Sequence, residues 1–258
     1  MSKLNGTIKQ DKFLDLLTKL EDLAKISDTI KLKIDSENIL MYSIVGETIL
    51  LAFKSYLVET NDFFDFKEDI ENTLDLVISG SKRFVKNLSF IKTSDKIAVS
   101  IDYRKGDDED ADNARFVQIK NGKLKVAIQA GEQSEIRDIS KSVLAKRIDL
   151  KNSKWSFKIS NSEFQDIKKL SSINSDGKII HLNIDSKKVI LSETSVWEYE
   201  VDEVDITDRH LMFNKTFLPS ISDKDDYINF YVFDTFVLTK DSESHLMISF
   251  EQDFSVDD

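Results

Sequence analysis

Apolar residues recur along this chain with two periods, and the periods divide it into helices and strands. Residues 3–8 predict a short strand. Phe13, Leu16, Leu17, Leu20, Leu23 and Ala24 then recur at steps of three and four, which places them on one face of a helix over residues 10–25. Over residues 28–35 the period falls to two. Ile30, Leu32 and Ile34 point inward and Lys31 and Lys33 outward, the pattern of a half-buried strand. The turn chemistry of Asp35-Ser36-Glu37-Asn38 leads to a strand over 39–45, and Gly46 turns the chain into another over 48–59. The order is β-α-β-β-β.

The order then repeats. After an acidic connection (61–72), residues 74–78 predict a strand, and residues 80–91 a helix with Phe84, Leu88 and Ile91 on one face. Ile97, Val99 and Ile101 alternate. Residues 115–119 and 123–128 form a hairpin around Asn121-Gly122, a strong two-residue hairpin signal. A charged loop, Gly106-Asp107-Asp108-Glu109-Asp110-Ala111-Asp112, lies between. Residues 131–154 are polar with scattered Ile136, Ile139, Val143 and Leu144. They read as a long connector with a short strand near 145–150, because so long a loop is unusual inside one compact domain.

A third unit follows. It has a strand from Trp155, a helix carrying Phe164, Ile167 and Leu170, two alternating runs joined at Asp185-Ser186, and a strand over 196–201. Ile180, Leu182, Ile184, Asp185, Ser186 and Val189 match Ile30, Leu32, Ile34, Asp35, Ser36 and Ile39 at a constant offset of 150 residues, which indicates an internal duplication. A fourth unit has a strand over 209–213 and a short helix over 215–222 with Phe217, Leu218 and Ile221, limited by Pro219. Alternating runs built on Ile228, Phe230 and Val232, on Phe236 and Leu238, and on Leu246, Ile248 and Phe250 complete it, before an acidic tail over 252–258. The expected fold class is therefore α+β. Two similar domains, 1–135 and 155–258, flank a connector over 136–154. Each contains two β-α-β-β-β units with helices on one face of antiparallel sheets.

Composition narrows the function classes. With 36 Lys and Arg against 47 Asp and Glu the net charge is −11, so a surface basic all over is excluded while a local basic stripe is not. Absence of cysteine excludes disulfides and thiolate metal sites. Neither an apolar leader at the start nor an apolar run of bilayer length is present, so a cytoplasmic protein with no membrane partner is expected. His181, His210 and His245 fall in three different strands without ligand spacing, and the 106–112 loop lacks the EF-hand pattern, so no metal or other cofactor is expected. No nucleotide-binding or hydrolase motif is present, and an enzyme is not expected.

Four such units in two similar domains, the long connector, the acidic charge and the lack of cysteine resemble the DNA polymerase sliding clamps. The C-terminal stretch LPSISDKDDYINFYVFDTFVLTKDSESHLMISFEQDFSVDD is similar to their final strands. The tailed-bacteriophage form, itself similar to the two-domain proliferating-cell-nuclear-antigen type, is the nearer match, since residues 39–59 lack the eukaryotic-type pattern. The resemblance implies a non-enzymatic processivity factor with the DNA clamp fold. It would form a homotrimeric ring around duplex DNA, closed by edge strands pairing between copies, and would have a DNA polymerase and a clamp loader as partners.

On this resemblance the helices face DNA, and their cations become candidate phosphate contacts without base readout. Lys82, Arg83 and Lys86 are the strongest set, because no acid falls between residues 80 and 91. Lys168 and Lys169 on the third helix, Lys215 on the fourth, and Lys12 and Lys19 on the first are further candidates. On the first helix Asp11, Asp15 and Asp22 sit near the middle of the polar face. A pocket for a partner's peptide is expected beside the connector, at Tyr42, Ile44, Val143, Leu144, Phe236 and Phe250. The rival function is a β-rich two-domain viral structural or interaction protein that never encloses DNA. An acidic hydrolase is a third class.

Overall fold

A computed structural model describes the chain except residues 47–50, 94–95, 107–110, 174–176, 195, 207–208, 223 and 252–258. The expected start of the strand at 48–50, most of the acidic loop and the acidic tail therefore lie outside the described residues. The chain forms two compact units: Met1–Glu47 with Lys54–Lys141, and Thr48–Phe53 with Ser142–Asp258. No helix among the described residues is long and apolar enough to cross a membrane.

In the first unit the elements run β1 (Ser2–Ile8), α1 (Gln10–Ile26), β2 (Thr29–Ile34), β3 (Asn38–Val45), β4 (Ala52–Glu59), α2 (Thr60–Phe63), β5 (Phe64–Phe66), β6 (Leu74–Ser79), α3 (Ser81–Leu88), β7 (Ile97–Arg104), β8 (Asp112–Asn121) and β9 (Leu124–Gln129). The strands form a sheet in the order β4-β3-β2-β6-β8-β7-β1-β5, with β9 on β8. The β6–β8 pair is parallel, whereas β1–β7, β2–β3, β2–β6 and β7–β8 are antiparallel.

Both helices pack on one face of this sheet, as their apolar stripes require. Phe13, Leu16, Leu20 and Leu23 of α1 and Phe84, Val85 and Leu88 of α3 share one core with Leu32, Ile34, Leu76, Ile78, Val99, Ile101, Val117 and Ile119. The Asn121-Gly122 turn is present, with Gly122 at φ 54. Gly6 is required where β1 meets β5, because a Cβ there would lie 2.5 Å from the Asp65 carbonyl oxygen.

Sequence periodicity missed α2 and β5. Phe63 and Phe64 are buried, but they sit in a stretch read as an acidic connection.

The connector differs from expectation. The strand near 145–150 is not formed. Instead there are a 3₁₀ turn (Gln133–Glu135), a helix α4 (Lys141–Arg147) and a second 3₁₀ turn (Leu150–Asn152). Its first part is bonded to the outer face of the first unit's sheet. Gly131 N–H donates to the Val77 carbonyl (2.9 Å), Ser79 donates to Glu135, and Lys141 pairs with Asp35. Ile136 and Ile139 are buried there.

In the second unit, β10 (Trp155–Ser160), α5 (Asn161–Ile173), β11 (Ile179–Asp185), β12 (Lys188–Glu193), β13 (Trp197–Glu203) and β14 (Arg209–Asn214) are followed by a 3₁₀ helix (Lys215–Ser220), β15 (Tyr227–Val232), β16 (Phe236–Lys240) and β17 (Ser244–Ser249). The short helix expected over 215–222 is thus of the tighter 3₁₀ type, with Pro219 inside it. The strands run β10-β15-β16-β17 and β13-β12-β11-β14, and a bridge from Phe213 to Phe250 joins the two sets. Phe164 and Ile167 of α5 are fully buried, with Phe164 edge-on to Phe230 at 6.2 Å. The β11–β12 hairpin turns through Ser186 and Lys187 at φ 51 and 72, so two non-glycine residues occupy the left-handed region that a two-residue turn needs.

Candidate nucleic-acid interface

The helix-bearing face of the first unit carries the clearest cationic feature. Gly80, at φ 69, turns the chain from β6 into α3. Asp28 fixes the start of α3 by accepting from the Lys82 N–H at 3.0 Å. Phe84, Val85 and Leu88 point into the core, so Lys82, Arg83 and Lys86 are exposed on the other side. No carboxylate among the described residues forms an ion pair with any of the three. Between α1 and α3 lies an open groove of about 340 Å³ lined by Glu21, Ala24, Lys25, Lys82, Val85, Lys86 and Ser89.

Two of the four acids of α1, Asp15 and Asp22, are engaged within the protein. Asp15 accepts from Lys19 at 2.7 Å. Asp22 accepts from Lys54 and the Tyr56 hydroxyl, and Lys25 reaches its other oxygen at 3.4 Å. The outermost stripe of α1 is Asp11, Leu14, Thr18, Glu21 and Lys25, which is not basic.

The structure separates the expected DNA-facing set. Lys12 is half-exposed on α1. Lys19 is a correction. Only 1% of it is exposed, and besides Asp15 its ammonium sits over the rings of Tyr56 (5.4 Å) and Phe63 (5.8 Å). A cation held in that way is unavailable to a phosphate. Lys215 is a second correction, since it pairs with buried Glu193 at 2.9 Å and donates to the Ser171 carbonyl at 3.0 Å. Lys168 is half-buried over the Phe164 ring (4.8 Å) and reaches the Ile221 carbonyl at 3.5 Å. Lys169 is exposed, with Asp166 at 3.0 Å. The helical spacing that selected these lysines cannot reveal partners such as Glu193 or Phe63, which lie far away in sequence.

The expected peptide pocket is corrected in part as well. Tyr42 is fully buried and Ile44 nearly so. The Tyr42 hydroxyl donates to the Arg137 carbonyl (3.3 Å) and accepts from the Ile139 N–H (3.2 Å), so the connector's own backbone covers this position. Burial, with Asp138 and Asp75 nearby, pushes the Tyr42 phenol well above its usual pKa. In the second unit Val143 is exposed and Leu144 buried on α4. Phe236 and Phe250 are half-buried. Phe236 stacks on Phe233 with ring centres 4.4 Å apart, and Phe250 N–H donates to the Thr235 carbonyl.

A second-unit cleft of about 500 Å³ was not foreseen. Trp155, Leu211, Val232 and Phe233 give it apolar walls, and Lys154, Arg209 and Asp234 line it too. These residues come from β10, β14 and the end of β15, a grouping that no local sequence signal announces.

Two of the three histidines meet, contrary to the absence of ligand spacing in the sequence. His181 Nδ1 lies 2.9 Å from His210 Nε2 across β11 and β14, and Thr194 Oγ1 lies 2.8 Å from His181 Nε2. No group of three or more potential metal ligands occurs among the described residues.

His245 is different. Burial, reinforced by Lys240 and opposed by Asp241, pushes it down from 6.5 to about 4, and its Nε2 has no hydrogen-bond partner among the described residues. The unfolded chain therefore binds this proton first. The related stability is fully present above pH 6.5 and is lost as the pH falls toward 4. Between pH 7 and 5 the loss should be about 2 kcal/mol, less whatever solvent screening removes. Urea unfolding of wild type and His245→Gln at both pH values checks this. Equal pH dependence in the two proteins would refute it.

The fold is similar to those of several solved structures. It matches the sliding clamp of Bacillus subtilis with a TM-score of 0.65 and 10% identity over 97% of this chain. It matches a protein of the PCNA2–PCNA3 complex from Sulfolobus tokodaii with a TM-score of 0.61 and 13% identity over 97% of the chain. The PCNA of A. fulgidus, solved with the C-terminal region of FEN-1, gives 0.62 and 11% over 98%. This chain spans 64% of the Pseudomonas aeruginosa DNA polymerase III beta subunit and 65% of the Bacillus clamp, but 99% of the Sulfolobus and of the A. fulgidus chain. No family model and no curated protein matches the sequence. The fold is the two-domain DNA clamp fold, α+β with large antiparallel sheets.

Proposed function

We propose that this chain is the subunit of a non-enzymatic sliding clamp of the tailed-phage type. Three copies would form a ring that encircles duplex DNA and tethers a replicative polymerase, after opening by a clamp loader. The observation that carries the proposal is the exposed Lys82–Arg83–Lys86 face of α3, which has no acid on its own helix, on a fold shared with clamps. The net charge of −11 then keeps binding confined to that face.

Two strand edges support assembly. Among the described residues, β9 and β13 each pair on one side, with β8 and β12 respectively. Unpaired edges of this kind invite another chain. The edges are complementary. Leu124, Val126 and Ile128 alternate with Lys125 on β9, while Trp197, Tyr199 and Val201 alternate with Glu198, Glu200 and Asp202 on β13. Antiparallel pairing of β9 with β13 of another copy would align apolar with apolar and set lysine against acid. The interface is heterologous, and three such contacts can close a ring.

The second-unit cleft at Trp155, Leu211 and Phe233 suits a partner peptide with an apolar anchor. Its cations, Lys154 and Arg209, suit an acidic flank. The Helicobacter pylori beta clamp solved with a DNA ligase peptide and the A. fulgidus protein solved with FEN-1 offer the analogy.

Sedimentation equilibrium tests the assembly. The expected mass is about three times 29.7 kDa. Glu198→Lys with Glu200→Lys should dissociate it, and adding Lys123→Glu with Lys125→Glu should restore it. A wild type that stays monomeric at all concentrations would overturn the proposal.

A further inference from the structure

The two units differ in how they use the cations on their helices. We propose that phosphate contact is concentrated in the first unit, in the α1–α3 groove between Lys25, Lys82 and Lys86, and that the helical face of the second unit contributes little. The inference rests on the clamp reading above and adds to it which half of each chain grips the DNA backbone. In a ring of three copies the grips would number three, one per chain, rather than six.

The groove has the chemistry of a phosphodiester cradle. Lys82 and Lys86 are one turn apart on α3, and Lys25 lines the groove from the last turn of α1. Ala24 and Val85 give it an apolar floor on which a sugar can rest. Ser89 adds a hydroxyl, which donates to the Lys86 carbonyl at 2.8 Å. Lys25 is tied to Asp22 only at 3.4 Å, and its side chain is 55% exposed, so solvent leaves that pair weak. Glu21 is the acid among the lining residues.

Among the described residues, α5 and the Lys215–Ser220 helix of the second unit carry no matching surplus. On α5, Lys168 and Lys169 are balanced by Glu163 and Asp166. Lys169 pairs with Asp166, Lys168 packs over Phe164, and Lys215 is committed to Glu193. Moving Lys215 to a phosphate would leave Glu193, 4% exposed, without that cation, a costly exchange. A phosphate near α5 therefore meets a face close to neutral.

Binding of the full chain to a short fluorescent duplex, measured by anisotropy across a NaCl series, tests this. Lys82→Glu with Lys86→Glu should weaken binding at low salt by about tenfold or more. The slope of log affinity against log salt should fall by about 2, near 0.9 per lost phosphate contact. Lys168→Glu with Lys169→Glu should change affinity by about twofold or less, and Glu21→Gln should raise it. Lys82→Gln with Lys86→Gln should give the same ranking with a smaller loss, and thermal unfolding verifies that each variant is folded. Equal losses from the α3 and α5 variants would overturn the assignment and leave the clamp reading standing. An unsubstituted chain that binds no duplex at the lowest salt would overturn both.

Discussion

Replacing Lys31 with alanine is expected to destabilise the first unit by about 3–5 kcal/mol, the usual cost of breaking a buried ion pair from one side. Lys31 has 2% of its side chain exposed and lies between two carboxylates, Asp75 at 2.7 Å and Asp138 at 2.6 Å. Lys33 reaches Asp138 at 2.9 Å but is 4.0 Å from Asp75. Without Lys31, Asp75 keeps only that long contact, and its Oδ1 already has no hydrogen-bond partner among the described residues. Asp138 is also one of the connector's attachments to the sheet. Burial raises its pKa, but hydrogen bonds from Lys31 and Lys33 more than offset this and hold it below the usual carboxylate value. That contribution is present above the ordinary carboxylate pKa and is lost as the pH falls through the lowered one. Amide exchange should therefore show faster opening of residues 131–139 in Lys31→Ala. Lys31→Leu combined with Asp75→Leu should recover most of the loss, because an apolar pair needs no compensation. A loss under about 1 kcal/mol in the single variant would contradict this account.

Asp22→Ala should have an effect of similar size, about 3–5 kcal/mol. Lys54 is fully buried on β4, pairs with Asp22, and lies 5.7 Å over the Tyr56 ring. The Tyr56 hydroxyl donates to the same carboxylate. Removal of Asp22 takes one acceptor from two buried donors at once. Asp22→Asn keeps an oxygen for Tyr56 but removes the charge, so it should fall between wild type and alanine. Urea unfolding of the two variants separates the parts. Equal losses would assign the whole effect to charge, and no loss in either would remove the network from the stability of α1.

Much of the first unit was legible in the sequence because its elements obey simple periods. Phe13 to Ala24 on α1, Ile30 to Ile34 on β2 and Phe84 to Leu88 on α3 point where their spacing predicts. Exposure of Lys82, Arg83 and Lys86 follows from the same rule, since the core claims the other side of a two-turn helix. The rule fails where a polar residue is covered from a distance. Lys31 alternates as an outward position, yet Asp138 and the connector cover it from 107 residues away. Tyr42 was expected to welcome a partner peptide, and the backbone at Arg137 and Ile139 occupies its hydroxyl. In α4 the apolar residues, Val143, Leu144 and Ala145, are consecutive, so they set no period.

What the sequence by itself determined is the alternation of helix and strand and the helix on which uncompensated cations stand. Those features depend on residues a few positions apart, where the 3.6 and 2.0 periods act. Only the tertiary structure decided which cations are available. Lys19 and Lys82 look alike in a helical pattern, but one is packed under Tyr56 and Phe63 and the other stands at the edge of an open groove. The cleft at Trp155 and Arg209 and the pairing of His181 with His210 arise in the same way. Strands distant in the chain become neighbours in a sheet, and a side chain's partners are set by that neighbourhood rather than by its own segment.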